Sequence, residues 1–571
     1  MSLTPARLSP DTRRRALEEM ATGELDVLVV GGGVVGAGTA LDAVTRGLRV
    51  GLVEGRDYAS GTSSRSSKLV HGGLRYLKQL DVPLVFEALR ERSLILHTLA
   101  PHLARPVEFL YPLRRRFVDR AWVGLGVGVY DALGAGRGVP GHHRHLGKRR
   151  TMELFPGGRP DEVHGAVSFY EGQLDDARHT MTLARTAAGY GALCATSARV
   201  TGFLEESGRV VGAVVRDLET GGDVEVRAKR TIVAAGPWTE ELQSLLGRQG
   251  PLQVHTSKGV HIVVPRAAID AHTGIITETA TSLLFVIPCP WSDEHWVIGT
   301  TDTSWNLDLA HPAASASDID YILAQVNRLL ATPVTRRDIV GVFAGLRPLL
   351  AGGTTQTSAL SREHAVVSPA DGLVLVTGGK YTTYRVMARD AVDAAFRGTR
   401  VDGSCTERLP LLGADGYHEL WAARARLAGD TGLDVATVEH LLGRYGSAVT
   451  EIVALIAADP ALAERVSPHR RYLRAEVVYA VTHEGALHLD DILTRRTRLS
   501  IETPDRGVEV AQQVAELVAP LLDWDGLRLR REVARYLARV QAELSAQRQP
   551  DDEAADAARL VAADLRDMVE I

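Results

Sequence analysis

Cysteine is scarce: the 571 residues include three, Cys194, Cys289 and Cys405. They lie far apart and form no C-x-x-C pair. A disulfide framework and a cysteine-held metal cluster are therefore not expected, a reducing compartment is, and no metal site is assigned. Each thiol reads as a small buried hydrophobe. Long apolar runs are missing too. The longest, AWVGLGVGVY at 121–130, is far too short to span a bilayer and reads as a packed helix. Peripheral attachment to a membrane stays open. Residues 1–23 hold Arg7 and the run Arg13, Arg14, Arg15 with no apolar segment behind them, so no secretory leader is expected. A dominant charge is also absent. The formal net charge of −5 leaves no global basic field to hold nucleic acid.

What is present is ordinary material for a folded chain of roughly two to four domains. Hydrophobic residues make up 45% and charged residues 24%, with a mean hydropathy of −0.03. The 55 glycines are partly clustered, and clusters mark tight turns or close approaches of backbone.

The first cluster carries chemistry. Leu25–Val30 (LDVLVV) is an apolar run of the buried parallel-strand type, and GGGVVG follows at once. Gly31 permits the tight turn, Gly33 lets backbone approach a pyrophosphate, and Gly36 lets the next helix, expected over 34–46 with Val34 and Val35 at its start, lie against the strand. A second strand at 48–53 ends in Glu54, 18 residues after Gly36. A carboxylate there accepts from both ribose hydroxyls and repels a 2′-phosphate, so the ligand is FAD or NAD and not NADP.

The stretch 60–76, SGTSSRSSKLVHGGLRY, favours FAD. It spends hydroxyls, paired glycines and cations where a nicotinamide-binding unit continues into helix and strand, as though wrapping a longer ligand. Two more strand–glycine junctions, RTIVAAGPW at 230–238 and LVLVTGGKYTTYR at 373–385, suggest one sheet whose strand ends face one extended cofactor.

From about residue 25 to 500 the chain resembles the FAD-dependent glycerol-3-phosphate dehydrogenases, within the D-amino-acid-oxidase-like flavoproteins. The matching blocks are GGGVVGAG (31–38), TSSRSSKLVHGGLRY (62–76), YEGQLDDAR (170–178), AAGPW (234–238), KGVHIVVP (258–265), GTTDT (299–303), GLRPL (345–349) and GGKYTTYR (378–385). The second and fifth are the most particular. The resemblance implies non-covalent FAD bound by Gly31, Gly33, Val34, Val35, Gly36 and Glu54. It adds Thr62, Ser63, Ser64, Ser67, Lys68, Leu69, His71, Gly72 and Gly73. The later junctions contribute Ala235, Gly236, Trp238, Gly345, Gly379, Lys380 and Thr382.

The substrate so implied, sn-glycerol 3-phosphate, is a small dianion, and its oxidation to dihydroxyacetone phosphate moves a hydride from C2 to flavin N5. The site needs cations, a base and a group that stabilises charge. In the family, arginines at the positions of Arg75, Arg347 and Arg362 line the pocket, and Tyr76 and Lys380 match pocket positions; an arginine fork suits phosphate. His261 interrupts a strand-like run. Such a histidine is ordinarily a satisfied core residue; the resemblance raises it to an active-site base. Arg347 competes for the main catalytic role by stabilising a developing alkoxide.

The expected fold is α/β: a discontinuous Rossmann-like FAD-binding domain (about 25–112, 165–250 and 341–404), an interposed antiparallel-sheet substrate domain (about 113–164 and 251–340), and an all-α C-terminal domain (405–571), after an N-terminal extension (1–24). Substrate-domain strands are expected at 261–264, 283–287 and 296–299. Helical periodicity marks Val435–Tyr445, 472–483 and 527–544, and the acidic tail from 551 reads as helix. Arg495, Arg496 and Arg498 read as surface or interdomain cations. Arg528, Arg530, Arg531, Arg535 and Arg539 read as the solvated face of a packed helix, with a lipid surface as the alternative. The family's respiratory members pass electrons to a membrane quinone, bind the inner face of the membrane peripherally, and are commonly dimers. The rivals are an oxygen-using glycerol-phosphate oxidase, an amine or amino-acid oxidase of the same fold, and a flavin-binding scaffold without catalysis.

Overall fold

The computed structural model describes residues 3–73, 82–113, 143–247, 250–279, 283–350, 363–468, 470–564 and 566. The run at 121–130 and Arg75, Tyr76 and Arg362 lie outside them. Two sheets organise the rest. The first follows the order His364–Ala370, Leu373–Gly378, Asp223–Val233, Leu25–Val30, Val50–Val53, Leu193–Ala195. The inner strands pair in parallel, Val27 with Arg230 on one side and with Val50 on the other. Parallel strands need crossovers, and the helix Val34–Thr45 supplies the first. Both faces are covered, which is why LDVLVV is apolar at every position but Asp26 rather than alternating. Val27, Val29, Leu52 and Ile232 pack under the helices Val34–Thr45, Asp176–Gly189 and Tyr384–Ala395. Leu25, Leu28 and Val30 pack on the other face, against Ala16, Leu17 and Met20 of the helix Pro10–Thr22. The N-terminal extension is thus part of this core, its helix opened by Ser9, which accepts from Thr12 N.

The second sheet has ten strands and is antiparallel except where Gly274–Glu278 runs parallel to Ala104–Pro112. Its long strand Val254–Pro265 pairs with Gly341–Leu350 and with His295–Gly299. Four strands assigned from sequence to the cofactor segments, Leu69–Val70, Ala104–Pro112, Gly165–Leu174 and Gly341–Leu350, belong to this second sheet. Period-two patterning marks a strand but says nothing about distant partners, so sheet membership could not follow from those segments alone.

Beyond residue 405 the described residues contain helices and no extended strand. The helices Val435–Tyr445 and Gly526–Ala546 start where Asp434 and Asp525 accept from Thr437 N and Arg528 N. The tail forms the helix Asp552–Arg559. One correction concerns length: the stretch Val435–Ala458 is 24 residues and contains an 18-residue window with a mean hydropathy of 1.4, long and apolar enough to cross a membrane. It is broken at Gly446 (φ +56°), and Leu441, Leu442, Val449 and Ile452 are fully or almost fully buried in the helical core. Its apolarity is that of a core helix pair, which a composition scan cannot separate from a span.

Arg495, Arg496 and Arg498 are buried ties between parts of the chain. Arg496 Nη2 lies 2.6 Å from Asp57, and Arg495 Nη2 2.5 Å from Asp491. Arg498 pairs with Asp175 and, at 3.0 Å, with Asp176. On the helix Gly526–Ala546, Arg530 and Arg531 are exposed, whereas Arg539 turns inward to Asp490 and Glu543. Cys194 and Cys289 are buried, and Cys405 is half-buried.

Candidate active site

A cavity of about 620 Å³ is lined by strand ends of the first sheet and one face of the second. On the first-sheet side stands the glycine turn. Gly31 has φ +112°, and a Cβ there would stand 2.5 Å from Ala234 O. A Cβ on Gly36 would meet Gly31 O at 1.8 Å, so helix and turn touch backbone to backbone. Gly33 caps the helix without a side chain, and Val34 N donates to Ser63 Oγ at 2.9 Å. The positive end of the helix therefore faces the cavity, which Gly33, Val34 and Val35 line. Glu54 follows on the neighbouring strand, its Oε2 accepting from Gly32 N at 2.5 Å and its Oε1 from Arg56 N at 2.8 Å. Burial pushes its carboxyl up, while those two N–H groups and the Arg56 charge pull it down.

On the second-sheet side, strand alternation decides what faces the cavity. Ser257, Gly259 and His261 share one face of Val254–Pro265, and their partners Arg347, Gly345 and Phe343 share the same face of Gly341–Leu350. The alternate residues Val260, Ile262, Val342 and Ala344 point the other way into core. The polar interruption in KGVHIVVP is the cavity-facing row of a strand whose other row is apolar.

His261 lies over this face. Its ring stacks on Phe343 at 4.8 Å and 9°, and its Nε2 is 2.9 Å from Ser67 Oγ. Room for the ring comes from Gly299, its register partner on the other flank, where a Cβ would meet His261 Cδ2 at 2.2 Å. Burial holds the imidazole well below its ordinary pKa, with the Arg347 and Lys68 charges adding to it. Arg347 crosses above Gly259, donating from Nη2 to Thr300 Oγ1 at 2.9 Å and to Thr301 O at 3.2 Å, with Nη1 3.7 Å from Asp302.

The cavity brings together His261 and Arg347 with Lys380, Gly31, Gly33, Val34, Val35, Glu54, Thr62, Ser63, Ser67, Leu69, His71, Ala235, Gly236, Trp238, Gly345 and Gly379. Gly36, Ser64, Lys68, Gly72, Gly73 and Thr382 do not line it. Lys68 is the largest departure. Its side chain is wholly buried, with Nζ 2.6 Å from Asp176 Oδ1 and 2.5 Å from Ser64 O, and burial lowers it to about 8 against the attraction of Asp176. A strand-adjacent lysine among glycines reads as a ligand group in sequence; its carboxylate partner is 108 residues away. Thr382 acts from behind the wall, its Oγ1 accepting from His71 N at 3.0 Å. Arg56, Arg65 and Glu241 also line the cavity and Phe343 backs His261; none of the four was singled out from sequence. Arg56, two positions after Glu54, was the one with a local signal.

The comparisons with known proteins bear on this geometry. The model of the family "FAD dependent oxidoreductase" matches residues 26–393, and that of the "C-terminal domain of alpha-glycerophosphate oxidase" matches 404–529. "Glycerol-3-phosphate dehydrogenase 2" of Mycobacterium tuberculosis is 53% identical over 563 residues, which are 98% of this chain and 96% of that protein. The chain belongs to the FAD-dependent glycerol-3-phosphate dehydrogenases.

Other members are similar too. The mitochondrial enzyme of Mus musculus is 35% identical, with 93% of this chain and 75% of that one covered. The solved glycerol-3-phosphate dehydrogenase of Bacillus halodurans, complexed with FAD, superposes with a TM-score of 0.78 at 29% identity, covering 94% and 98% of the two chains. The family's cofactor is FAD, and the residues here fit it. The glycine turn, the N-terminus of the Val34–Thr45 helix and Glu54 line one cavity, a set of groups that would hold a pyrophosphate and an adenosine ribose.

Proposed function

We propose that this glycerol-3-phosphate dehydrogenase family member oxidises sn-glycerol 3-phosphate to dihydroxyacetone phosphate. The observation that carries the reading is that His261 and Arg347 share one face of the second sheet and line the same cavity as the glycine turn. FAD, when bound, supplies the ring that accepts the hydride from C2. The rest is done by the chain. His261, held neutral by its surroundings, takes the proton of the C2 hydroxyl at Nε2, the substrate hydroxyl replacing the contact that Ser67 Oγ makes there. Arg347, fixed by Thr300 and Thr301, stabilises the oxygen as it becomes negative. Lys380 borders the cavity and adds positive charge for the phosphate. In this reading Arg75, Tyr76 and Arg362 also contribute to substrate binding. The wall around His261 and Phe343 keeps water from the reacting carbon.

The test is to mix the FAD-loaded protein with sn-glycerol 3-phosphate under anaerobic conditions and follow the visible absorbance of the flavin. Rapid bleaching with this substrate, absent with glycerol and with amino acids, is expected. A flavin that stays oxidised although FAD is bound would sink the assignment. Electrons leave, in this reading, to a quinone at the inner face of the cell membrane. Faster reoxidation by a quinone analogue than by air supports that, and the opposite order would make the protein an oxidase. Co-flotation with anionic vesicles tests peripheral attachment, and sedimentation tests whether the protein is a homodimer.

A further inference from the structure

The chain beyond the helix Gly526–Ala546 has no part in the chemistry above, yet it returns to the cofactor cavity. Asp552, in the first turn of the helix Asp552–Arg559, pairs with Lys258, on the core-facing row of the strand that carries His261. Arg559 then meets His311 Nδ1 at 3.1 Å. Asp564 pairs with Arg56 and lies 3.1 Å from His311 Nε2. Burial pushes the Asp564 carboxyl up, but His311 and Arg56 together hold it well below the usual carboxylate range, so it is charged. Arg566 closes the path, with Nη2 2.9 Å from Asp491 and Nε donating to Ser197 Oγ at 3.0 Å.

These contacts converge on one short loop. Arg56 lines the cavity, and its N–H donates to Glu54 Oε1 at 2.8 Å. Its carbonyl accepts from Ser197 N at 2.7 Å, the same residue whose hydroxyl Arg566 holds. Asp564 therefore grips the side chain of the residue whose backbone orients Glu54. The Arg56 and Asp564 side chains are 17% and 10% exposed, so the pair is shielded from solvent screening.

We infer that the segment around Asp564 is a strap that sets FAD affinity: Asp564 is a positioning residue, acting through Arg56 on Glu54 at the adenosine end of the cavity. The inference rests on the reading of Glu54 as the ribose-binding carboxylate. Because coupling is reciprocal, a strap that tightens FAD binding is itself held down by FAD.

The experiment titrates FAD into apoprotein by flavin fluorescence quenching for the parent, D564N, R56Q, the double variant and E54Q, with the apoprotein Tm of each. D564N and R56Q should each raise the FAD Kd by about tenfold, the double variant should raise it no further, and kcat of D564N at saturating FAD should stay at the parent value. The Arg56→Asp, Asp564→Arg exchange should recover part of the affinity. FAD should also slow tryptic cleavage after Arg559 and Arg566 in the parent and lose that effect in D564N. A merely structural tail would lower the apoprotein Tm and leave Kd alone. If E54Q weakens FAD but D564N leaves Kd within twofold, the strap is overturned while the ribose reading stands. If E54Q has no effect, the reading of Glu54 falls and the strap with it. Additive effects of D564N and R56Q would also overturn the route through Arg56.

Discussion

Replacing Gly299 by alanine should disable the site while leaving the fold and the cofactor in place. The new Cβ would stand 2.2 Å from His261 Cδ2, 2.7 Å from Cγ and 2.9 Å from Nε2. An ordinary carbon contact is about 3.5 Å, so the ring has to retreat by about 1.3 Å. It has nowhere soft to go: Phe343 is stacked against it at 4.8 Å, and Ser67 Oγ holds Nε2 at 2.9 Å. A shift of that size breaks the Ser67 contact and moves the base off its target. Misplacement by about 1 Å can cost about 10²-fold in rate, and the overpacking should cost about 1–3 kcal/mol of stability. The assay is the anaerobic rate of flavin bleaching at saturating glycerol 3-phosphate, beside the FAD Kd and Tm. Gly202→Ala is the control, since a Cβ there meets nothing within 4 Å. A Gly299→Ala protein that bleaches within threefold of the parent, with Kd and Tm unchanged, would refute the placement of His261 and the role built on it.

Other outcomes follow from the same contacts. His261→Asn should slow bleaching by about 10²–10⁴-fold while FAD still binds, because the residue sits on the second sheet and not at the glycine turn. With its pKa held below the ordinary value, the imidazole is already neutral near pH 6.5, so the acid limb of kcat/KM that it causes should lie below pH 6.5; a limb at or above that value would count against His261 as base. His488 bridges Glu219 at 3.0 Å and Glu532 at 3.1 Å. Burial lowers its pKa, but the two carboxylates win and raise it from 6.5 to about 10. A raised folded pKa means its contribution is complete below about pH 6.5 and lost as pH rises through about 10. Denaturation of parent and His488→Gln should therefore differ by about 3 kcal/mol at neutral pH and converge towards pH 10; a constant gap would contradict the bridge. Gly429 is exposed inside the helix Arg424–Thr431, with nothing within 4 Å of a Cβ. Gly429→Ala should raise stability by about 0.5–1 kcal/mol, read as a higher Tm with unchanged activity.

Much was decided locally along the chain. The apolar run of Leu25–Val30 and the glycines after it specify strand, turn and helix within about twenty residues, because each is set by neighbours in sequence. The helical character beyond residue 405 was likewise legible from periodicity. The particular blocks around His261 and Arg347 singled them out as candidates, but not the geometry by which both line one cavity. That needed the pairing of two strands some 80 positions apart, with Ser257 opposite Arg347 and His261 opposite Phe343. Phe343 is one hydrophobe among many until that register makes it the floor under His261. Lys68 is the same case in reverse: its local setting resembles a ligand group, and the side chain is buried against Asp176 rather than in the cavity lining. Arg495, Arg496 and Arg498 could be surface or interior charges until folding brought Asp57, Asp175 and Asp491 to them. Hydrogen-bonded turns and helix starts are short-range and survive in sequence. The neighbours that set the charge state of a histidine or bury a lysine are long-range, and tertiary packing alone decides them.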